Sequence, residues 1–234
     1  MAIVKSDRSI IPACDVDSLK KLEELVEATA PVKGIGAYKI GFELGLAYGL
    51  PKVMETVRKH SDKPVIYDHQ KAGTDIPDTG KGFASVCRRS GVDAVIFFPQ
   101  AGPETEKAWI KAAQDEGLKI IVGGEMTHPA YLAPEGYLSA DAPKRMYETA
   151  IAMGITDFVV PGNKPEKIGA YKQLFESHKI DFTLYSPGLV TQGGKITDSG
   201  KAAGKKWHAI VGRAIYEAQD MGKAAQEFAS QLGV

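Results

Sequence analysis

The chain has 234 residues, 44% hydrophobic and 25% charged, which is ordinary for a folded globular protein and ample for one large core. Its 29 basic and 29 acidic residues cancel, so no global field favours nucleic acid or an anionic membrane, and any anionic ligand must be held by local charge. The N-terminal residues carry both charge signs ahead of the first apolar run, unlike a secretory signal, and no apolar stretch nears the roughly 20 residues that span a bilayer; a cytoplasmic protein is expected.

Taken in chain order, short apolar runs rich in β-branched residues alternate with longer amphipathic stretches. Ile10 to Asp15 predicts a strand, and Leu19 to Ala30 a helix, with Leu19, Leu22, Leu25 and Val26 at helical spacing. A strand from Ala37 to Phe42 precedes a helix from Pro51 to about Lys59. A third strand, Pro64 to Asp68, leads through a polar loop to a helix that starts between Pro77 and Thr79 and reaches Ser90. Strand Ala94 to Phe98 and helix Glu104 to Glu116 follow, then strand Lys119 to Met126, a longer loop and helix Ala142 to Met153. Strand Asp157 to Pro161, helix Pro165 to Ser177 and strand Phe182 to Ser186 come next. A glycine-rich loop, strand His208 to Val211 and a final helix within Ala214 to Leu232 complete the pattern.

Strands that alternate with helices imply parallel βαβ units, because parallel neighbours need a crossover. Eight such units in a chain of this length fit a closed barrel better than an open sheet, so the expected fold is α/β, a (β/α)8 TIM barrel, with residues 1–234 as a single domain. Gly34 and Gly36 precede a strand instead of following one, and Gly200 to Lys205 lacks the P-loop spacing; both are expected to be turns. Cys14 and Cys87 have no paired metal-ligand or redox spacing and are expected to be buried structural thiols.

In such a barrel the chemistry sits where strands end. Asp15 closes strand 1, Lys39 lies on strand 2, and Asp68, His69 and Lys71 follow strand 3. Two acids and two lysines would be costly to bury apart, whereas a mutually paired network satisfies them; the bland alternative is ordinary ion pairing at the barrel mouth. Asp75 has a bland alternative as a capping residue before Ile76-Pro77. On the far side, the glycine-rich loop after strand 7 and Gly212-Arg213 after strand 8 put bare backbone amides beside a guanidinium, a combination suited to a phosphate dianion.

These residues resemble the orotidine 5′-monophosphate decarboxylase family over nearly the whole chain. The matching segments are Ala13-Cys14-Asp15, Tyr38-Lys39-Ile40-Gly41, Asp75 to Thr79, Glu125 to Pro129, Ser186-Pro187-Gly188 with Gln192-Gly193-Gly194, and Val211 to Tyr216. The resemblance implies that Asp15 and Lys39 bind the ribose hydroxyls, that Thr127, where the family usually has Ser, bonds the pyrimidine, and that Pro187 lines its edge. Gln192, Gly212 and Arg213 would hold the phosphate. Asp68, Lys71, Asp75 and Lys39 would form the catalytic charge network, with Asp75 and Thr79 reaching into the neighbouring subunit of a homodimer. No metal or organic cofactor is implied. The substrate would be orotidine 5′-monophosphate and the product UMP, in pyrimidine biosynthesis.

One segment departs from the family pattern Asp-x-Lys-x-x-Asp. Here Asp68-His69-Gln70-Lys71-Ala72-Gly73-Thr74-Asp75 carries one extra residue on each side of Lys71. Positions two apart share a face of a strand and positions three apart do not, so Asp68 and Lys71 face one site only if the chain bulges near His69; otherwise His69 takes the acid's position. Two other functions stay open. One is a Mg2+-dependent sugar-phosphate decarboxylase or synthase of the same suprafamily, which chelation would inactivate. The other is a barrel that binds a nucleotide without turning it over.

Overall fold

The computed structural model describes residues 2–69 and 74–233. Eight parallel strands close into a barrel in sequence order. They are β1 (Arg8–Cys14), β2 (Tyr38–Ile40), β3 (Val65–Tyr67), β4 (Ala94–Phe97), β5 (Lys119–Gly123), β6 (Asp157–Val159), β7 (Thr183–Ser186) and β8 (Trp207–Val211). The helices are α1 (Leu19–Thr29), α2 (Phe42–Tyr48), α3 (Leu50–Arg58), α4 (Thr79–Arg89), α5 (Pro103–Asp115), α6 (Ala142–Ala152), α7 (Pro165–Ser177), α8 (Ile196–Ala203), α9 (Arg213–Tyr216) and α10 (Met221–Ser230). Proline in the first turn of α3, α5, α6 and α7 supplies a preset φ where the missing N–H costs nothing.

Side-chain alternation along the strands sorts the core into two layers. Ile11, Ala13, Ala37, Ile66, Ala94, Ile96, Ile121, Val159, Tyr185 and Ile210 fill the barrel interior. Their neighbours, such as Ile10, Cys14, Tyr38, Ile40, Val65, Tyr67 and Phe97, pack against the helices. Both cysteines are buried and free, and burial pushes the Cys87 thiol up to about 12. Among the described residues no helix is long and apolar enough to cross a membrane.

Three segments differ from the sequence expectation. The glycine-rich stretch after β7 contains the helix α8, in which Ile196, Ser199, Gly200 and Ala203 are buried at helical spacing. Gly200 sits inside that helix and not in a turn. A Cβ there would come within 2.9 Å of the Trp207 ring, so the glycine is what lets the helix lie on β8. The segment between β2 and the Pro51 helix holds α2, whose only buried residue is Leu44, so it offers no apolar stripe to recognise. The final helix is broken into α9 and α10, and α10 starts afresh where the Asp220 carboxylate accepts from Lys223 N at 2.9 Å.

Candidate active site

Alternation carries past the strand ends and collects the charges. Asp15 continues the inward set of Ala13, Lys39 that of Ala37, and Asp68 that of Ile66. Lys39 Nζ stands 3.2 Å from Asp15 Oδ1 and 3.3 Å from Asp68 Oδ2, with its side chain only 6% exposed. Burial alone would push its pKa down, but the Asp68 and Asp15 carboxylates outweigh it and hold the ammonium above the ordinary lysine value. His69 belongs to the other set. Its Nδ1 lies 2.6 Å from Tyr67 Oη, and its ring rests against Tyr67 and Phe83 in the layer between barrel and helices. Lys71 lies outside the described residues.

Asp15, Lys39 and Asp68 line a cavity of about 240 Å3 whose opposite wall carries Thr127, Pro187, Gly188, Gln192, Gly212 and Arg213. Ile96, Phe98, Met126, Val159 and Ile210 floor it with apolar surface. The loop after β7 is folded over on itself: Val190 N donates to Gly194 O at 2.7 Å, and Gly188 takes φ +85°. A Cβ at Gly188 would come within 2.6 Å of Thr127 Cγ2, so glycine is required there both by conformation and by the close approach of Thr127. Arg213 is exposed, and its guanidinium makes no hydrogen bond or ion pair with the described residues, which leaves it available to an anion. A larger depression of about 820 Å3 lies at the other end of the barrel, between the N-terminal segment and the residues that precede β2 and β3; Lys5, Glu27, Asp62 and Lys63 line it, but among the described residues they form no ion pair with one another.

Residues 8–228 match the family described as orotidine 5'-phosphate decarboxylase / HUMPS. The chain belongs to that family. The orotidine 5'-phosphate decarboxylase of Methanosarcina barkeri is 33% identical over 226 residues, covering 95% of this chain and 94% of that protein. The enzyme of the same name from Methanosarcina mazei is 31% identical over 93% of this chain and 92% of its own length. Among solved structures, the orotidine 5'-monophosphate decarboxylase of Methanocaldococcus jannaschii, complexed with inhibitor BMP, superposes with a TM-score of 0.84 at 26% identity, over 97% of this chain and 99% of that one.

Two family-motif residues stand apart from the cavity. The Asp75 carboxylate turns back onto Ile76 N at 2.7 Å, its carbonyl accepts from Thr105 Oγ1 at 2.8 Å, and Thr79 Oγ1 donates to Ile76 O at 2.8 Å. Both residues are exposed, as is Ile76 between them, and neither lines the cavity of its own chain. Asp75 is not a helix cap either, since α4 is preceded by Asp78, which makes no side-chain cap bond.

The sequence reading missed a second group. β5 ends at Gly123, three residues before its expected end at Met126, so Glu125 turns outward to Tyr171 and Lys164 while Met126 and Thr127 turn to the cavity. Asn163 and Lys164, directly after β6, reach back to this segment. Their position at a strand's C-terminal end was the available signal. Tyr216, on the first turn after β8, also lines the cavity.

Proposed function

We propose that this protein decarboxylates orotidine 5′-monophosphate to UMP in the cytoplasm, as a step of pyrimidine biosynthesis. One observation carries the reading: Lys39 is buried between Asp15 and Asp68 on one wall of a cavity whose other wall carries Arg213 and the Gly188–Gly194 loop. Family membership over nearly the whole chain supports it.

In this reading Arg213, Gln192 and the Gly212 amide take the phosphate, and Asp15 and Lys39 take the ribose hydroxyls. Thr127 bonds the pyrimidine, and Pro187 lines its edge. Binding energy from the phosphate holds the loop after β7 over the nucleotide and organises the reacting end. Asp68 lies against the substrate carboxylate. The bond from ring C6 to the carboxyl carbon breaks, CO2 leaves, and the electron pair stays on C6. Lys71 stabilises that carbanion and donates the proton that makes UMP. Enzymes in general lower barriers by about 8–23 kcal/mol, and fixed charge in a water-poor site is the largest single contribution available here. Lys39, held charged between two acids, keeps their repulsion from relaxing outward.

Asp75 and Thr79 belong, in the same reading, to a neighbouring subunit's site, which makes the working unit a homodimer. The exposure of Asp75, Ile76 and Thr79 supports that assignment, as does the shallow groove that Asp75 and Ile76 line with Pro103.

The deciding experiment mixes the purified protein with orotidine 5′-monophosphate in EDTA and follows the ultraviolet absorbance of the orotate ring. Turnover to UMP at full rate in EDTA is expected. Activity that appears only with Mg2+ on a sugar phosphate would replace this reading by the sugar-phosphate one. Tight UMP binding without turnover would leave a binding-only barrel.

A further inference from the structure

The residue proposed to meet the pyrimidine sits on the wrong kind of support. Thr127 lies in the connection of residues 124–141, between the end of β5 and the start of α6. A hydrogen-bonding side chain on a long connection is placed less sharply than one on a strand, unless its backbone is held from outside. Here it is held at three consecutive residues. Lys164 Nζ donates to Glu125 Oε1 at 2.8 Å and to Met126 O at 3.0 Å, Tyr171 Oη donates to Glu125 Oε2, and Asn163 Nδ2 donates to Thr127 O at 3.0 Å. Glu125 is 3% exposed and Lys164 27%, so this ion pair is shielded where most of the chain's others are on the surface. All three donors come from the β6–α7 turn and the α7 face. The Thr127 hydroxyl itself has no hydrogen-bond partner among the described residues, although the side chain lines the cavity.

We infer that Asn163, Lys164 and Glu125 are positioning residues that set the Thr127 hydroxyl for the base of a pyrimidine nucleotide, and so contribute to base recognition without touching the ligand. The inference rests on the proposed reading of the cavity as a nucleotide site. Its physical content is that the brace captures the carbonyls of Met126 and Thr127 and so fixes the peptide that carries the Thr127 side chain into the cavity. A carbonyl released from the brace would let the Thr127 peptide rotate and move the hydroxyl off target. The phosphate end, built on β7 and β8, would be untouched.

The test compares UMP with ribose 5-phosphate, which keeps the phosphate and lacks the base. Dissociation constants are measured by calorimetry for the wild-type chain, Asn163→Ala, Lys164→Met, Thr127→Val and the double variant Asn163→Ala/Thr127→Val. With one hydrogen bond to the base at stake, Asn163→Ala should weaken UMP roughly 5- to 10-fold. Ribose 5-phosphate should stay within about twofold. In the double variant Asn163→Ala should add less than about twofold to Thr127→Val, because both act on one bond. Equal losses on the two ligands, or full additivity in the double variant, would overturn the inference. Should Lys164→Met not fold because Glu125 is left buried without its cation, Asn163→Ala carries the same comparison alone. A wild-type chain that binds UMP no better than ribose 5-phosphate overturns the nucleotide reading itself, whereas a preference for UMP that is as large in Asn163→Ala as in the wild-type chain overturns only the brace.

Discussion

Asp68 and His69 are adjacent in sequence and live in different compartments. A strand turns successive side chains to opposite faces, so Asp68 meets Lys39 in the cavity while His69 joins Tyr67 and Phe83 outside the barrel. Either residue was open as the acid of the catalytic segment when only the spacing to Lys71 was known, because an inserted residue can be absorbed on either side. The two substitutions should therefore separate widely. Asp68→Asn should lower kcat for orotidine 5′-monophosphate by about 10^2–10^3, the usual cost of removing one fixed group at a reacting centre. His69→Asn should stay within about threefold, since it removes a ring contact and one hydrogen bond to Tyr67. Stopped-flow or steady-state turnover of the two variants decides it, and a greater loss at His69 would reverse the assignment.

At the scale of elements, the helices that were legible are those whose buried positions recur every three to four residues as large apolar side chains, as in α1 with Leu22, Leu25 and Val26. α8 has the same spacing but spends two of its buried positions on Ser199 and Gly200, and its contact with Trp207 can be seen only in three dimensions. α5 shows a further effect of packing. Glu106, in its first turn, is 2% exposed beside α6, and its Oε1 has no hydrogen-bond partner among the described residues. Burial pushes its pKa up to about 8 from 4.5. The folded chain thus keeps a proton that the unfolded chain gives up above about pH 4.5, so stability falls as pH rises toward 8 and levels off beyond it. Glu106→Gln has no such proton to lose. Melting curves should coincide near pH 5 and separate by several °C in favour of the variant at pH 8.5. Parallel melting temperatures at both pH values would show that the Glu106 carboxyl is not held in this way.

For the whole molecule, closure of the barrel brings β1, β2 and β3 to the same rim as β7 and β8, so the Asp15–Lys39–Asp68 network and the wall that carries Arg213 face each other across about 240 Å3. One chain, however, leaves Asp75 and Thr79 outside its own cavity. If they serve a partner's site, lesions at Asp75 and Arg213 must complement each other. Asp75→Ala and Arg213→Ala chains, each nearly inactive alone, should regain about a quarter of wild-type activity when refolded together in equal amounts. Random pairing makes half the dimers hybrid, and each hybrid has one intact site of two. Activity that never exceeds the sum of the separate variants would mean that each site is built from a single chain.

The sequence by itself determined the barrel, the identity of its eight strand-helix units and most of the cavity wall. Periodicity, parallel crossovers and the rule that strand ends carry the chemistry are local properties of the chain. That is why Asp15, Lys39, Gly212 and Arg213 could be picked out one strand at a time, while Thr127, Pro187 and Gln192 were added by the family resemblance; all are found on one cavity. Tertiary structure decided what depends on a partner far along the chain. Where β5 stops, and hence that Glu125 turns to Lys164 and Tyr171 while Thr127 turns inward, is settled by side chains 39 and 46 positions away. Which way Asp68 and His69 point follows from where β3 joins the barrel, a relation between strands that neither residue's neighbours encode.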